Sequence, residues 1–166
     1  MRQRVLLALI GGALLFCSPL SATTLKFGSD VELLALDGQP LPTALFKSAN
    51  SLELDSGTHQ VLFRVAKPFI PNGQAHYSAP LLALFDTRDA TSVTIKLPRL
   101  GNDHDIQQLE QTQSFELLNH RGIPLEFRAD VLESGAADAA DAEGYRQLLR
   151  RYNHSNANAA LPTLAP

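Results

Sequence analysis

Residues 51–65 read SLELDSGTHQVLFRV, and this stretch indicates the fold class. Polar and apolar residues alternate in Ser51–Leu54, which is typical of a strand with one buried face. Asp55–Gly57 has the composition of a tight turn. In Gln60–Val65 valine and phenylalanine recur at every second position, which predicts another strand after the turn.

Segments of the same kind lie on both sides of this stretch, at a spacing of roughly ten residues. Two of them flank the polar connection Asp86–Ala90 and predict a hairpin with one buried face. The predicted strands outside residues 51–65 are Thr24–Phe27, Val31–Leu36, Leu81–Phe85, Ser92–Leu97, Phe115–Leu118 and Leu125–Leu132. Such a run favours a mainly β fold, an antiparallel β-sandwich or a small barrel, and the sequence does not separate these two.

The C-terminal part of the sequence has a different pattern. Tyr145–Tyr152 has large side chains at helical spacing, so one C-terminal helix is predicted over residues 143–153. The small residues of 134–142 predict a linker between a β-rich domain at 23–133 and this helix. Residues 154–166 are polar and end in proline, which predicts a flexible tail.

The first 22 residues have the order of a secretory signal peptide. Arg2 and Arg4 form a basic start, an apolar run of about twelve residues follows, and small residues precede a cleavage position after Ala22. A membrane-spanning helix needs roughly 20 apolar residues, so cleavage is expected rather than a retained anchor. Cys17 follows two large apolar residues, which a lipid-attachment site disfavours, so we expect it to leave with the signal peptide.

Composition and charge exclude several classes of partner. Removal of residues 1–22 leaves 144 residues without a cysteine, a length that supports one domain without disulfides. Two of the 14 basic residues leave with the signal peptide, so 12 remain against 17 acidic residues, a formal charge of −5. A nucleic-acid-binding protein needs a basic surface, and anionic lipid repels an acidic one. We therefore predict no nucleic-acid binding and no membrane insertion after cleavage.

The histidines do not form a metal-binding pattern. A zinc site shows ligands at fixed spacing, whereas these residues are spread singly along the chain. They are His59, His76, His104, His120 and His154. Asp103–Asp105, which reads Asp-His-Asp, is the one dense cluster, and it fits a polar turn or the start of a short helix better than an ion site, with Asn102 or Asp103 as the N-cap. We predict no metal and no cofactor.

No catalytic constellation stands out in the sequence. It contains no G-x-S-x-G nucleophile motif, and no serine is visibly paired with a histidine. Glu53, Asp55, Glu126 and Asp130 are carboxylates that an acid–base mechanism could use, but Glu53 is more simply an outward residue of a strand. We therefore predict that the protein is not an enzyme and has no catalytic residues.

Two further features allow both a structural and a functional interpretation. Arg146, Arg150 and Arg151 form a basic edge of the predicted helix, where a solvated face is favoured over a partner site. Val61–Val65 and Leu81–Phe85 are favoured as core strands. The alternative is that they are sheet edges, whose unpaired backbone groups can accept a strand of another chain.

Several stretches of the sequence resemble one family of exported bacterial proteins. They are ATTLKFGSDVELLALDG at Ala22–Gly38, SLELDSGTHQVLFRV at Ser51–Val65, SAPLL at Ser78–Leu82, KLPRL at Lys96–Leu100 and RYNHS at Arg151–Ser155. In this order they are similar to the YccT-like family, whose domain has no known function. The D-G turn followed by L-x-x-G-x-H-x-V also resembles the small sandwich modules called PEGA domains.

The resemblance implies a periplasmic protein of a Gram-negative bacterium, with no enzyme activity and no catalytic motif to transfer. The family includes proteins that restrain assembly of curli, an extracellular amyloid, so the implied partner is a curlin subunit or another envelope protein. The PEGA likeness implies the alternative of a structural envelope module that binds glycan or another envelope protein. Many YccT-like proteins continue past the RYNHS segment, and a partner site in that extension would not lie in these 166 residues.

Overall fold

The computed structural model describes residues 21–42, 49–68, 73–132 and 141–165. The predicted signal peptide, 1–22, and the predicted linker, 134–142, lie almost entirely outside these residues. The described strands are β1 (Thr23–Lys26), β2 (Val31–Leu36), β3 (Gln39–Pro40), β4 (Ser51–Leu54), β5 (Thr58–Pro68), β6 (Ala75–Tyr77), β7 (Leu81–Asp86), β8 (Ser92–Lys96), β9 (Glu116–Asn119) and β10 (Phe127–Val131). The helices are α1 (Asp103–Thr112), α2 (Ala142–His154) and a short 3₁₀ helix, Pro162–Leu164.

The strands form two sheets. Sheet I has the order β4-β1-β8-β9, and sheet II has the order β10-β7-β5-β2-β3, with β6 paired to the end of β5. Neighbouring strands are antiparallel except β1 and β8, which are parallel. No barrel closes within the described residues, and the two sheets share a core in the manner of a sandwich. The prediction of a mainly β fold with a C-terminal helix is confirmed.

The inner faces of the two sheets enclose the main core. Val61, Phe63 and Val65 of β5 are almost completely buried, as the alternation in the sequence predicts. They belong to one apolar cluster with Leu25 of β1 and Val93 of β8, which lie on the other sheet. Full burial of such a side chain stabilises the fold by about 1.5–3 kcal/mol, so this cluster holds the two sheets together.

A second apolar layer covers the outer face of sheet II. Leu62 of β5 and Leu82 of β7 form a cluster with Leu148 and Leu149 of α2. The fold therefore has three layers, which are sheet I, sheet II and the C-terminal helix. Strands β5 and β7 are covered on both faces, which explains why their sequences are apolar at nearly every position. The interpretation of these two strands as core is confirmed.

The segment after α2 packs on the sheet, which differs from the flexible tail predicted for 154–166. Ala159 is completely buried in the outer cluster, and Ala160 and Ala165 are also buried. Alanine side chains are small enough to let the backbone of this segment lie close to sheet II. The polar composition of the segment concealed this, because the few buried alanines carry no strong apolar signal.

The predicted hairpin of β7 and β8 is wrong, because the chain crosses from one sheet to the other between them. β7 lies in sheet II between β5 and β10, whereas β8 lies in sheet I between β1 and β9. Thr87 holds the crossing: its hydroxyl oxygen lies 2.9 Å from the carbonyl oxygen of Asp55 and accepts a bond from the amide of Gly57 at 3.0 Å. The chain crosses back between β9 and β10, so those strands also lie in different sheets.

A buried pair of amide side chains joins the helix layer to sheet II. Gln60 of β5 and Asn153 of α2 exchange two hydrogen bonds, of 2.7 and 3.0 Å, and both residues are at most 1% exposed. The Gln60 amide also donates to the carbonyl of Ala159 at 2.8 Å. The side-chain oxygen of Asn153, Oδ1, also accepts from the backbone amide of Leu161 at 2.9 Å. Three hydrogen bonds thus fix α2 and the following segment on the sheet, and a fourth joins the segment to the helix.

We predict that Gln60→Leu lowers the free energy of unfolding, because it leaves the Asn153 amide and the Ala159 carbonyl buried without partners. The expected cost is about 1–3 kcal/mol for each group left unpaired. Urea unfolding followed by circular dichroism measures it, with Gln107→Leu on the exposed face of α1 as the matched control. Equal stability of the two variants would contradict the role given to the pair.

Candidate binding groove

Helix α2 leaves one end of the outer face of sheet II uncovered, and a groove of about 590 Å³ lies there. Its walls are the ends of β5 and β7 and the chain that leads into β10. The lining residues are Thr58, Leu84, Phe85, Asp86, Leu125, Glu126, Phe127 and Arg128. Strand register explains the assembly, because Thr58 pairs with Asp86 and Leu84 pairs with Arg128. The groove therefore combines an apolar floor with charged groups at its rim.

Arg88, in the turn after β7, holds the carboxylate of Asp86 in place at the rim of the groove. The guanidinium of Arg88 donates to both carboxylate oxygens of Asp86, with Nε at 3.0 and 2.9 Å, and the Arg88 amide donates to the same carboxylate. These bonds lower the pKa of Asp86 to about 2, so it carries its charge at any ordinary pH. Thr58 adds a bond from its hydroxyl at 3.3 Å. Glu126 and Arg128 are exposed on the other side of the groove.

His59 fastens two turns beside this end of the fold. Its Nδ1 lies 2.7 Å from a carboxylate oxygen of Asp37, and its Nε2 lies 2.7 Å from the carbonyl oxygen of Asp55. Asp37 and Gly38 both have positive φ, of 49° and 76°, which is the geometry of a type I′ hairpin turn. The other carboxylate oxygen of Asp37 accepts from the backbone N–H of Gln60 at 2.8 Å.

Both nitrogens of His59 face hydrogen-bond acceptors, so the charged imidazolium, which donates from both, fits the site best. The hydrogen bond with Asp37 raises the pKa of His59 above its ordinary value of 6.5. Burial opposes this effect, and the carbonyl of Asp55 adds to it. Because Nε2 is already bonded to the backbone, the pair of His59 and Asp37 is arranged as a structural clamp rather than as a general base.

The Asp-His-Asp cluster of the sequence lies at the start of α1, as its helix interpretation predicts. Asn102 is the N-cap, and its side chain accepts from the amide of Asp105 at 3.0 Å. Asp105 in turn accepts from the amide of Gly101 at 2.7 Å, and Asp103 lies 2.7 Å from Nδ1 of His76. The carboxylates stabilise the positive end of the helix. Across the described ranges, no group of three histidine, cysteine or acidic residues is placed to hold a metal ion.

The four candidate carboxylates lie in different surroundings in the structure. Glu53 on sheet I accepts from the hydroxyl of Thr24 at 2.8 Å, whereas Asp130 on sheet II accepts from the hydroxyl of Tyr152 at 2.6 Å. Asp55 is exposed in the turn before β5, and Glu126 lines the groove. Arg146 pairs with Glu143 on the exposed face of α2. The groove itself could not be found from the sequence, because its residues come from three separate segments.

Tyr152 has an environment that keeps its hydroxyl protonated. The group donates to Asp130 and accepts from the amide of Ala159 at 3.0 Å. Burial raises the pKa of Tyr152, and the bond to the Asp130 carboxylate raises it further. Tyr152 therefore ties α2, β10 and the segment after the helix together, and is not poised for proton transfer near neutral pH.

Comparison with known proteins identifies the family. The model of a family described as "uncharacterized protein conserved in bacteria (DUF2057)" matches residues 24–166. The chain is 36% identical over 154 residues to UPF0319 protein YccT of Shigella flexneri serotype 5b, which covers 90% of this chain and 69% of that protein. YccT of Escherichia coli O1:K1 and of the E. coli K12 strain DH10B give the same identity and coverage.

The chain belongs to the YccT-like family. The resemblance inferred from its quoted segments is thereby confirmed. No solved structure gives a significant match. Among the helices of the described residues, none has the length and hydropathy needed to span a membrane.

The YccT-like chain should lose stability as the pH rises above about 6.5, because of His59. The unfolded histidine has a pKa of about 6.5, and the folded value is higher. The stabilisation is therefore complete below pH 6.5 and is lost as the pH rises through the folded pKa. The free energy of unfolding, measured by urea titration from pH 5 to pH 9, should fall in this window.

His59→Gln should remove that dependence and lower stability most at the acidic end of the range. His104→Gln, at an exposed position on α1, is the matched control and should keep the wild-type profile. Profiles of equal slope for the wild type and His59→Gln would contradict the clamp.

Proposed function

We propose that this protein is exported to the periplasm and acts there, without catalysis, by binding an extended segment of another protein. The resemblance to the YccT-like family implies a curlin-type partner. The proposed partner is therefore an aggregation-prone, β-forming subunit of that type. The observation that carries the proposal is the open groove between the end of β7 and the start of β10, because it adjoins an edge strand of sheet II.

The composition of the groove supports a peptide partner. Leu125 and Phe127 offer apolar contacts, and the polar groups of Thr58, Glu126 and Arg128 lie at its rim. Ligand sites usually combine an apolar surface with a few oriented polar groups, and this volume lies within their usual range of about 300–1,000 Å³. Three lining residues, Thr58, Glu126 and Arg128, are exposed. The groove is therefore open along its length, which suits an extended peptide lying across it.

A binder of this kind can restrain amyloid assembly by occupying a strand. Cross-β fibrils grow when an identical strand adds to an exposed edge through its backbone groups. A partner strand held against a folded sandwich has one edge covered and presents the bulk of the sandwich to the next subunit. The signal peptide predicted at residues 1–22 supports export to the periplasm.

The mature protein should prolong the lag time of purified major curlin subunit at substoichiometric ratios, as measured by thioflavin fluorescence. Arg128→Ala in the groove should shorten that delay, because it removes a charged group at the rim. The matched control is Arg99→Ala, an exposed arginine in the connection between β8 and α1. A lag time unchanged by the wild-type protein across a wide range of ratios would reject the curlin partner.

An exposed aromatic ring favours a second candidate, an envelope module that binds glycan. Tyr77 on β6 is 54% exposed, and one face of its ring stacks on the guanidinium of Arg64 at 4.2 Å. Glu32 holds that guanidinium with bonds of 3.0 and 3.3 Å, so the ring is held in place while more than half of Tyr77 stays exposed, as a sugar-stacking residue requires. 

For this second candidate we expect insoluble peptidoglycan to retain the wild-type protein. The Tyr77→Ala variant should no longer be retained. Ile123→Ala, at the other large exposed apolar residue of the described chain, serves as the control. Retention no greater than that of an unrelated periplasmic protein would exclude it.

A further inference from the structure

Among the described residues, two of the four strands at the ends of the sheet orders, β3 and β9, have no backbone groups free for a further strand. β3 contains two residues and ends at Pro40, which has no amide hydrogen to offer. The chain turns back after β9 and covers the outer edge of that strand. The backbone amide of Leu125 donates to the Leu117 carbonyl at 2.7 Å, and the amide of Asn119 donates to the Ile123 carbonyl at 2.9 Å. An added strand at either edge would therefore find the backbone groups absent or already used.

The edge of β4 is short. The backbone amide of Phe27, just after β1, donates to the carbonyl of Asn50. In an antiparallel pair every second residue is bonded to the partner strand, so this bond shows which residues of β4 are bonded to β1. By that alternation only Ser51 and Glu53 direct their backbone groups away from β1. The next carbonyl, that of Asp55, is taken by His59 and Thr87.

The fourth edge, on β10, is closed by side chains alone as far as the described residues show. Leu132 donates to the Pro80 carbonyl beside β7, so Phe127, Ala129 and Val131 direct their backbone groups outward. The side-chain amide of Asn158 donates to the carbonyl of Ala129 at 2.8 Å. The amide of Val131 donates to the carboxylate of its neighbour, Asp130, at 2.9 Å. The Asn158 side chain can rotate away without any change in the fold, and Asp130 can release the Val131 amide while its other carboxylate oxygen still accepts from Tyr152.

The side chains of β10 indicate what the missing neighbour should be. Phe127, Ala129 and Val131 pack against the main core but remain only partly buried. A strand added beside them would cover their open flank if every second residue of that strand were apolar. Its other residues would lie on the outer face beside Arg128 and the groove, where polar groups are favoured.

We infer that the outer edge of β10 is the docking strand for an extended partner segment with alternating apolar and polar residues, and that Asn158 and Asp130 are removable caps of this edge. The inference rests on the proposed function and adds the site and the register to it. The polar rim of the groove, with Glu126 and Arg128, then receives the polar side chains of the partner, while the backbone groups of Phe127, Ala129 and Val131 pair with the partner backbone.

Two proline variants test the edge. Ala129→Pro removes an amide hydrogen that points away from β7, so the ladder within the protein is retained while docking is blocked. Glu53→Pro makes the same change at an outward position of β4 and is the matched control. With monomeric major curlin subunit as the probe, Ala129→Pro should abolish the delay of fibrillation and Glu53→Pro should retain it. The reverse pattern would overturn the inference, and circular dichroism confirms that both variants are folded.

Asn158→Ala tests the cap. It removes the competing amide from the Ala129 carbonyl, so the apparent affinity for the probe should rise by roughly two- to tenfold, the factor expected for one neutral hydrogen bond. The exposed Asn156→Ala is the control and should match the wild type. An affinity that falls in Asn158→Ala alone would show that Asn158 contacts the partner and is not a cap.

A second readout separates this inference from the curlin proposal. The variant with both Asn158→Ala and Asp130→Ala exposes the β10 edge and should self-associate in sedimentation velocity at high concentration, whereas its combination with Ala129→Pro should remain monomeric. If the wild type fails to delay curlin, the proposed function falls and this measurement still decides the edge. A monomeric double variant would overturn the assignment of β10.

Discussion

Strand β5 carries two adjacent polar residues where both faces of its sheet are covered, and the arrangement of the other elements depends on how those residues are paired. A buried polar group without a partner costs roughly 1–3 kcal/mol, so His59 and Gln60 must find partners on opposite sides of the strand. On the inner side His59 joins the turns that follow β2 and β4. On the outer side Gln60 fixes α2 and the segment around Ala159. One strand thus sets the position of both neighbouring layers.

The position of α2 then determines which part of sheet II stays open. Asn153 and Tyr152 are neighbours in the helix, and they bind Gln60 on the central strand and Asp130 on the edge strand. The helix is therefore held over the middle of the outer face, and the groove remains where it does not reach. Asp130 binds two groups at once. One carboxylate oxygen accepts from the Tyr152 hydroxyl, and the other accepts from the Val131 amide. The helix layer and the closure of the β10 edge are coupled through this carboxylate.

Features that depend on local sequence could be predicted, and features that depend on distant partners could not. The bounds of β2 and β4 match the predicted Val31–Leu36 and Ser51–Leu54, because apolar alternation is a property of each segment alone. The predicted β7–β8 hairpin was wrong because Thr87, which turns the chain toward the other sheet, is bonded to Asp55 and Gly57, about thirty positions earlier. The groove was missed for the same reason, since Thr58, Asp86 and Arg128 meet only through strand register.

A protein that binds aggregation-prone strands must keep its own edges from pairing at random, and the manner of closure matters for this. Edges closed by proline or by the returning backbone open only if the chain refolds, whereas the caps on β10 open when two side chains rotate. Each cap contributes about 0.5–1.5 kcal/mol, the net value of a typical hydrogen bond. A fitting strand offers several backbone bonds and also covers Phe127, Ala129 and Val131, whose partial exposure leaves apolar surface to bury. Weak encounters therefore fail to displace the caps, and a strand with the right alternation succeeds, which gives the edge selectivity without a deep pocket.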